Sequence, residues 1–199
     1  MNTLPRAADR AALGLTVVIG AGVTVWTIVQ AVISLAGIIP NRNVPVTASF
    51  TDTPATLPLG PGGAAVDVVT QQAVIEVSGL IPIVHISLIL AEVFSALTVL
   101  VTVVCACLVI RNLVRGRAFV LANLGLVGTA TMAVGLGFIL TWLFGTMGAN
   151  GAVASLGGDY ENSGTAIDPL VIFGIAALGA LTVAFQVGSR LQKETEGLV

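Results

Sequence analysis

Four long runs of apolar residues, separated by shorter polar segments, make up most of the chain. They cover about residues 11–39, 82–110, 118–147 and 169–190. A helix needs roughly 20 residues to cross a hydrocarbon core of about 30 Å, so each run is long enough. Lipid offers the backbone no hydrogen-bond partner, and these runs are too long for barrel strands, so we expect helices. The pattern predicts an all-α membrane protein, a four-transmembrane-helix bundle in one domain of residues 1–199.

Two long connections lie between these runs, at about residues 40–81 and 148–168. In the first connection, Val44–Phe50 and Ala65–Val77 have strand-like composition, and Leu59–Gly63 would turn the chain between them. A small β-ribbon and a disordered loop are equally compatible with this composition.

Local signals mark several helix ends. Asn150–Gly151 is expected to break the chain after the third helix, because both residues favour turns. Asp168–Pro169 is expected to begin the fourth helix, since aspartate caps free amides and proline fits the first helical position. The first helix follows Arg6 and Arg10, as a signal peptide would, with cleavage after Ala36 as the alternative. Its apolar run is about twice the usual length, so we expect the helix to be retained.

The composition supports a membrane protein and excludes several other classes. Of the 199 residues, 56% are hydrophobic and 9% are charged, and the mean hydropathy is +1.02. A soluble domain carries about 25% charged residues, so a soluble enzyme fold, a secreted disulfide scaffold and a disordered chain are all excluded. The net charge of −2 provides no field for direct nucleic-acid binding.

The few basic residues predict the orientation of the helices. Cytoplasmic segments of membrane proteins are enriched in Lys and Arg near the helix ends. Among the eight basic residues, Arg42 alone lies on the side of the two long connections. We therefore expect both termini, and the short link between the second and third helices, to be cytoplasmic. The basic residues behind this prediction are Arg6, Arg10, Arg111, Arg115, Arg117, Arg190 and Lys193.

Glu92 and His85 place a carboxyl group and an imidazole inside the second predicted helix. Seven residues of helix bring them to within about 20° of one face and roughly 10.5 Å apart along the axis. Gln30 lies at a similar depth in the first helix and is the expected hydrogen-bond partner of Glu92. One interpretation is a proton or cation site facing a cavity, and the other is a strut between the first two helices. His85 is expected to be an interfacial residue rather than a metal ligand.

Small residues recur at four-residue spacing in the third and fourth predicted helices. Such rows let two backbones approach closely in lipid, where no hydrophobic force drives helices together. We expect them to pack the third helix against the fourth, and a homo-oligomer seam is the alternative. The rows include Gly125, Ala133, Gly137, Ala176, Ala180 and Ala184.

The predicted cytoplasmic face consists of a compact basic link and a C-terminal tail of mixed charge. One interpretation is that these charges set the topology and contact lipid headgroups. The other is a docking surface for a cytoplasmic partner. The residues of that surface would be Arg111, Arg115, Arg117, Arg190, Leu191, Lys193, Leu198 and Val199.

The sequence contains no motif that indicates catalysis. The Walker loop, the serine elbow and the HExxH pattern are absent. A single His, with no spaced set of Cys, His and carboxylate residues, predicts neither a metal site nor a cofactor. We therefore expect a protein that is not an enzyme.

The two cytoplasmic segments resemble those of an uncharacterised bacterial membrane family, domain of unknown function 2975. Val114–Phe119 followed by Asn123–Leu124 is similar to the basic, Gly, x, x, Phe … Asn … Leu signature after the family's second helix. Gly188–Val199 is similar to the family's closing segment, and Ala118 stands where the family usually has proline. The resemblance implies a four-helix inner-membrane protein without assigned catalysis. It also implies a helix-turn-helix regulator as a cytoplasmic partner, since members are often encoded beside one.

These observations favour a non-enzymatic regulator or interaction partner in the bacterial plasma membrane, acting through the cytoplasmic link and tail. A small transporter or channel using Glu92, His85 and Gln30 is one alternative. An accessory subunit bound to other membrane subunits is another. In each case the lipid bilayer surrounds the four helices.

Overall fold

The computed structural model describes residues 7–117, 120–157, 162–164 and 167–196. Within these residues four helices are long and apolar enough to cross a membrane, which confirms the prediction of a multi-pass helical membrane protein. The elements in chain order are α1 (Ala7–Ile38), β1 (Val44–Leu57), β2 (Val66–Val77), α2 (Pro82–Val114), α3 (Leu121–Ala154) and α4 (Pro169–Glu196).

α2, α3 and α4 each continue past the predicted C-terminal end, and α3 shows the largest difference. It continues to Ala154, so that Asn150 and Gly151 lie inside the helix instead of ending it. The reason is tertiary, because Gly151 lies against Val84 of α2, whose side chain a Cβ atom at position 151 would overlap. At the other long connection the local signal is sufficient. The carboxylate of Asp168 accepts a hydrogen bond from the Leu170 amide at 2.8 Å, as expected of a helix cap.

The described chain divides into two compact units. One takes in the chain up to residue 31, residues 94–139 and the chain from residue 167. The other takes in residues 32–93 and the segment from residue 140 to the second long connection. The second unit therefore holds the end of α1, the ribbon, the start of α2 and the end of α3.

β1 and β2 form an antiparallel ribbon, which confirms the ordered alternative for the first connection. Val44 pairs with Val77 at one end, and Leu57 pairs with Val66 at the other. A short 3-10 turn at Pro61–Gly63 joins the strands. β-branched residues and period-two alternation are typical of such pairs.

The ribbon is anchored to the helices at its base. Val44, Val46 and Ala48 are buried, while Pro45 and Thr47 between them are exposed, because successive strand residues point to opposite faces. The buried side contributes to the apolar core of the second unit. That core consists of Ile38, Val44, Val46, Val77, Leu80, Val84, Ala149 and Ala152.

An irregularity in the ribbon coincides with its contact to the second long connection. The strand register shifts between Ser49 and Thr53, and Asp52 between them has a φ of 42°. The amide of Ser49 donates to Oδ1 of Asn162 at 2.9 Å, and the amide of Ser163 donates to the Ser49 carbonyl at 2.8 Å. The described sheet has two strands, so beyond this point β1 and β2 pair only with each other.

Candidate functional site

His85 joins the start of α2 to the end of α1. Its Nε2 atom lies 2.8 Å from the carbonyl oxygen of Ile38, the last residue of α1. The final carbonyls of a helix have no partner within the helix, so the imidazole satisfies one of them. Among the described residues, no three His, Cys, Asp or Glu side chains are grouped so that they could hold a metal ion. The described contact of His85 is with the backbone of α1.

Glu92 also faces α1, but its partner differs from the one expected. Its half-buried carboxyl group is hydrogen-bonded to the hydroxyl group of Ser34. The expected partner, Gln30, lies one helical turn earlier in α1 and has an exposed side chain. A small hydroxyl group pointing toward α2 allows a closer approach of the two helices than a long amide side chain would.

Together, His85 and Glu92 form two polar connections between α1 and α2. The connections reach Ile38 and Ser34, which lie one turn apart on α1. Both ionisable groups of the predicted intramembrane site are therefore engaged with a neighbouring helix of the same compact unit. Contacts of this kind are what the strut interpretation expects.

The described start of the basic link, residues 115–117, has a defined backbone. The amide of Gly116 donates to the Leu113 carbonyl at 2.9 Å, and the amide of Arg117 donates to the Asn112 carbonyl at 2.9 Å. Gly116 has a φ of 70°, a conformation that glycine adopts without steric penalty. These are the two bonds of a Schellman motif, which ends a helix while satisfying its last carbonyls.

Asn123 ties this turn to the start of α3. The Asn123 side chain is fully buried. Its Oδ1 accepts a hydrogen bond from Nδ2 of Asn112 at 2.7 Å, and its Nδ2 donates one to the Arg117 carbonyl at 2.8 Å. The asparagine quoted for the family resemblance is thus the residue that fixes the shape of the link. Buried side-chain amides with both ends satisfied specify one arrangement of the backbone.

The basic side chains of the link point away from this network. Arg111, Arg115 and Arg117 are all exposed. In the tail, Arg190 is exposed and Leu191 is 59% exposed, and α4 continues as a helix to Glu196, with Lys193 inside it. The expected anchors Leu198 and Val199 lie outside the described residues.

At Gly137 and Gly145 the small-residue row of α3 lies against α2 rather than against α4. A Cβ atom at Gly137 would overlap the side chain of Thr98, and one at Gly148 would overlap Leu88. Gly145 lies opposite Ala91, so this face follows α2 along much of its length. By contrast, a Cβ atom at Gly125 would meet nothing within 4 Å. Sequence spacing identifies a close-packing face but does not state which helix covers it.

Other residues make the contact between α3 and α4. The Thr131 hydroxyl lies 3.2 Å from the Thr182 hydroxyl, and Gly135 lies opposite Ile175. The predicted small residues of α4 are exposed, and Ala133 of α3 is half-buried. The exposed set is Ala176, Ala180 and Ala184.

The far half of the ribbon carries an apolar hollow of about 610 Å³. Its lining includes Phe50, Pro54, Leu57 and Val69, of which Val69 is 65% exposed. Two-stranded ribbons are marginally stable when isolated, so the anchored base must hold this half in place.

Asn41 is a structural residue that sequence reasoning did not find. It has a φ of 53°; its Nδ2 donates to the Leu80 carbonyl and its Oδ1 accepts from the Leu80 amide, both at 2.9 Å. This pair of bonds joins the end of α1 to the start of α2 across 39 residues. The available signal was an asparagine just past a helix, because asparagine tolerates positive φ.

No family model, curated protein or solved structure matches the chain. The resemblance to domain of unknown function 2975 therefore stays a prediction.

Proposed function

We propose that this protein is a non-enzymatic interaction protein of the bacterial plasma membrane that binds a cytoplasmic partner through its basic link and helical tail. The observation that carries the proposal is the fixed shape of the link. The Asn112–Asn123 hydrogen bond and the Schellman turn hold its backbone while three arginine side chains remain exposed.

A rigid basic turn suits recognition of an acidic protein surface. Guanidinium groups bind carboxylates in bidentate geometry, and a fixed backbone reduces the ordering entropy lost on binding. α4 supports the same interpretation, because it continues as a helix from the end of its apolar span at Leu191 to Glu196.

The proposed orientation follows from the positive-inside rule. Arg111, Arg115 and Arg117 lie at the link, and Arg190 lies at the end of α4, whereas Arg42 lies at the opposite ends of the helices. The rule assigns the arginine-rich side to the cytoplasm. The partner class that the family resemblance suggests is a small helix-turn-helix regulator, which this surface would hold at the membrane.

The contacts of the intramembrane polar residues favour this proposal over transport. A carboxyl group that binds and releases a cation needs access to a cavity, whereas Glu92 is hydrogen-bonded to Ser34 and His85 to Ile38. Glu92→Gln should therefore leave partner recovery unchanged. Glu92-dependent cation flux into proteoliposomes would instead support the transporter alternative.

Affinity purification from native membranes tests the proposal. The triple variant Arg111→Gln, Arg115→Gln, Arg117→Gln and a variant ending at Ser189 are compared with Arg42→Gln, which removes one charge from the opposite side. We expect a soluble DNA-binding protein to co-purify with the wild type and with Arg42→Gln, and to be lost from the other two. Recovery unaffected by both changes would overturn the proposal. Recovery of membrane subunits alone would support the accessory-subunit alternative.

A further inference from the structure

A groove between α1 and α2 lies beside the basic link and shares Arg111 and Arg115 with the proposed docking surface. Its volume is about 450 Å³, within the roughly 300–1,000 Å³ of typical ligand sites. Gly14 and Val17 line it on α1, and Leu108 and Val114 line it on α2. All of these residues belong to one compact unit. Cys107 and Ile110 of α2 also line the groove, so its walls apart from the arginines are apolar side chains, a thiol and the bare backbone of Gly14.

Gly14 is the residue that opens the groove. A Cβ atom built at this position would meet no heavy atom within 4 Å, so the absence of a side chain leaves real space. Gly14 lies about one helical turn after Arg10, the last charged residue before the apolar run of α1, and α2 ends at Val114. The groove thus lies at the end of both spans, where hydrocarbon gives way to the headgroup region. Space at this depth of a bilayer is filled by lipid.

Two guanidinium groups complete the lining. Arg111 lies in the last turn of α2, Arg115 is the first residue after the helix, and both line the groove. Both side chains are exposed, and the described side chains that line the groove include no carboxylate. The site therefore combines an apolar channel with a positive, hydrogen-bond-donating end.

We propose that this groove binds an anionic phospholipid of the surrounding leaflet. One acyl chain lies along Gly14, Val17 and Leu108, and the phosphate accepts hydrogen bonds from Arg111 and Arg115. Arginine matches phosphate oxygens in bidentate geometry, and basic pockets beside transmembrane helices are known to take anionic headgroups. A free phosphate would leave the apolar walls unfilled. A zwitterionic lipid would add a positive charge beside two others.

The inference goes beyond the proposed function and does not depend on it. The lipid site is tested on the purified protein without any partner, whereas docking is tested in native membranes. A negative result for lipid binding by the purified protein therefore does not decide whether a partner is recovered from native membranes.

Native mass spectrometry of the protein in a neutral detergent tests the lipid site. The probes are phosphatidylglycerol and phosphatidylcholine with identical acyl chains, and inorganic phosphate as the headgroup without chains. We expect retention of phosphatidylglycerol in preference to phosphatidylcholine, and no retention of phosphate. Arg111→Gln and Arg115→Gln should each weaken phosphatidylglycerol binding about fivefold, as expected for one basic residue at an anionic surface. Arg42→Gln is the matched charge control and should bind as the wild type does.

A second variant pair tests the groove itself. Gly14→Phe would fill the open space, whereas Gly22→Phe places the same side chain on α1 at another position where nothing lies within 4 Å. We expect the first variant to lose phosphatidylglycerol and the second to retain it. Equal binding of the two lipids, or a Gly14→Phe protein that binds as Gly22→Phe does, would overturn the proposal. If Gly14→Phe does not fold, the two arginine variants and the lipid comparison decide the question.

Discussion

Adding one methyl group at Gly137 should destabilise the protein, although alanine is the better helix former. The Cβ atom of Gly137→Ala would lie 2.9 Å from Cβ of Thr98 and 3.0 Å from its Cγ2, and would overlap its Oγ1. The Thr98 hydroxyl is itself held by a 2.7 Å hydrogen bond to the Phe94 carbonyl, so it cannot rotate away without losing that bond. Either α3 moves away from α2 or Thr98 leaves its rotamer.

The size of the effect follows from two opposing contributions. Replacing Gly with Ala inside a helix stabilises it by up to about 1 kcal/mol. Overpacking at a tight contact costs about 1–3 kcal/mol. Gly125→Ala is the matched control, because it makes the same change in the same helix where nothing lies within 4 Å. The propensity gain cancels between the two variants, so Gly137→Ala should be less stable than Gly125→Ala by about 1–3 kcal/mol.

Unfolding in mixed micelles with increasing sodium dodecyl sulfate, followed by tryptophan fluorescence, measures this difference. Thr98→Ala removes Oγ1 and Cγ2, two of the three atoms in close contact, so the double variant should recover most of the lost stability. If Gly137→Ala and Gly125→Ala have equal free energies of unfolding, the close approach of α3 to α2 is wrong.

Five further substitutions test other contacts by the same measurement. Thr141→Val should raise the free energy of unfolding by about 1 kcal/mol, because the buried Thr141 hydroxyl has no hydrogen-bond partner within the described part of the chain. Thr131→Val should lower the free energy of unfolding by a similar amount, because it removes the contact with Thr182. Asn123→Ala should lower the free energy of unfolding by about 2–3 kcal/mol, because it removes two hydrogen bonds of a buried side chain. Asn150→Ala removes an exposed hydrogen bond to Asn162 and should change the free energy of unfolding by less than about 0.5 kcal/mol. His85→Leu should cost about 1 kcal/mol through loss of the bond to the Ile38 carbonyl. An unchanged Asn123→Ala protein would remove the physical basis for a rigid link.

The sequence was sufficient to predict the elements whose causes are local. The four spans follow from apolar runs between charges, and the cap at Asp168 follows from the preferences of aspartate and proline. Part of the ribbon was also indicated by strand-like composition in the first connection. In each case the residues that specify the element are neighbours along the chain.

What the sequence could not predict depends on contacts between distant residues. Asn150 and Gly151 favour turns, yet α3 continues through them because Gly151 packs against Val84. The same limitation explains why the row of small residues was assigned to α4, and why Glu92 was paired with Gln30 instead of Ser34. The bonds between Asn41 and Leu80 join residues 39 positions apart, a separation at which no local pattern operates.

Site-specific photo-crosslinking in intact cells tests the central claim most directly. A photoreactive residue replaces Arg117 in one strain and Arg42 in a second strain, and the crosslinked products are identified by mass spectrometry. We predict a soluble DNA-binding protein crosslinked from position 117 and none from position 42. Crosslinking of that protein equally from both positions, or from position 42 alone, would contradict both the proposed orientation and the docking role of the basic link.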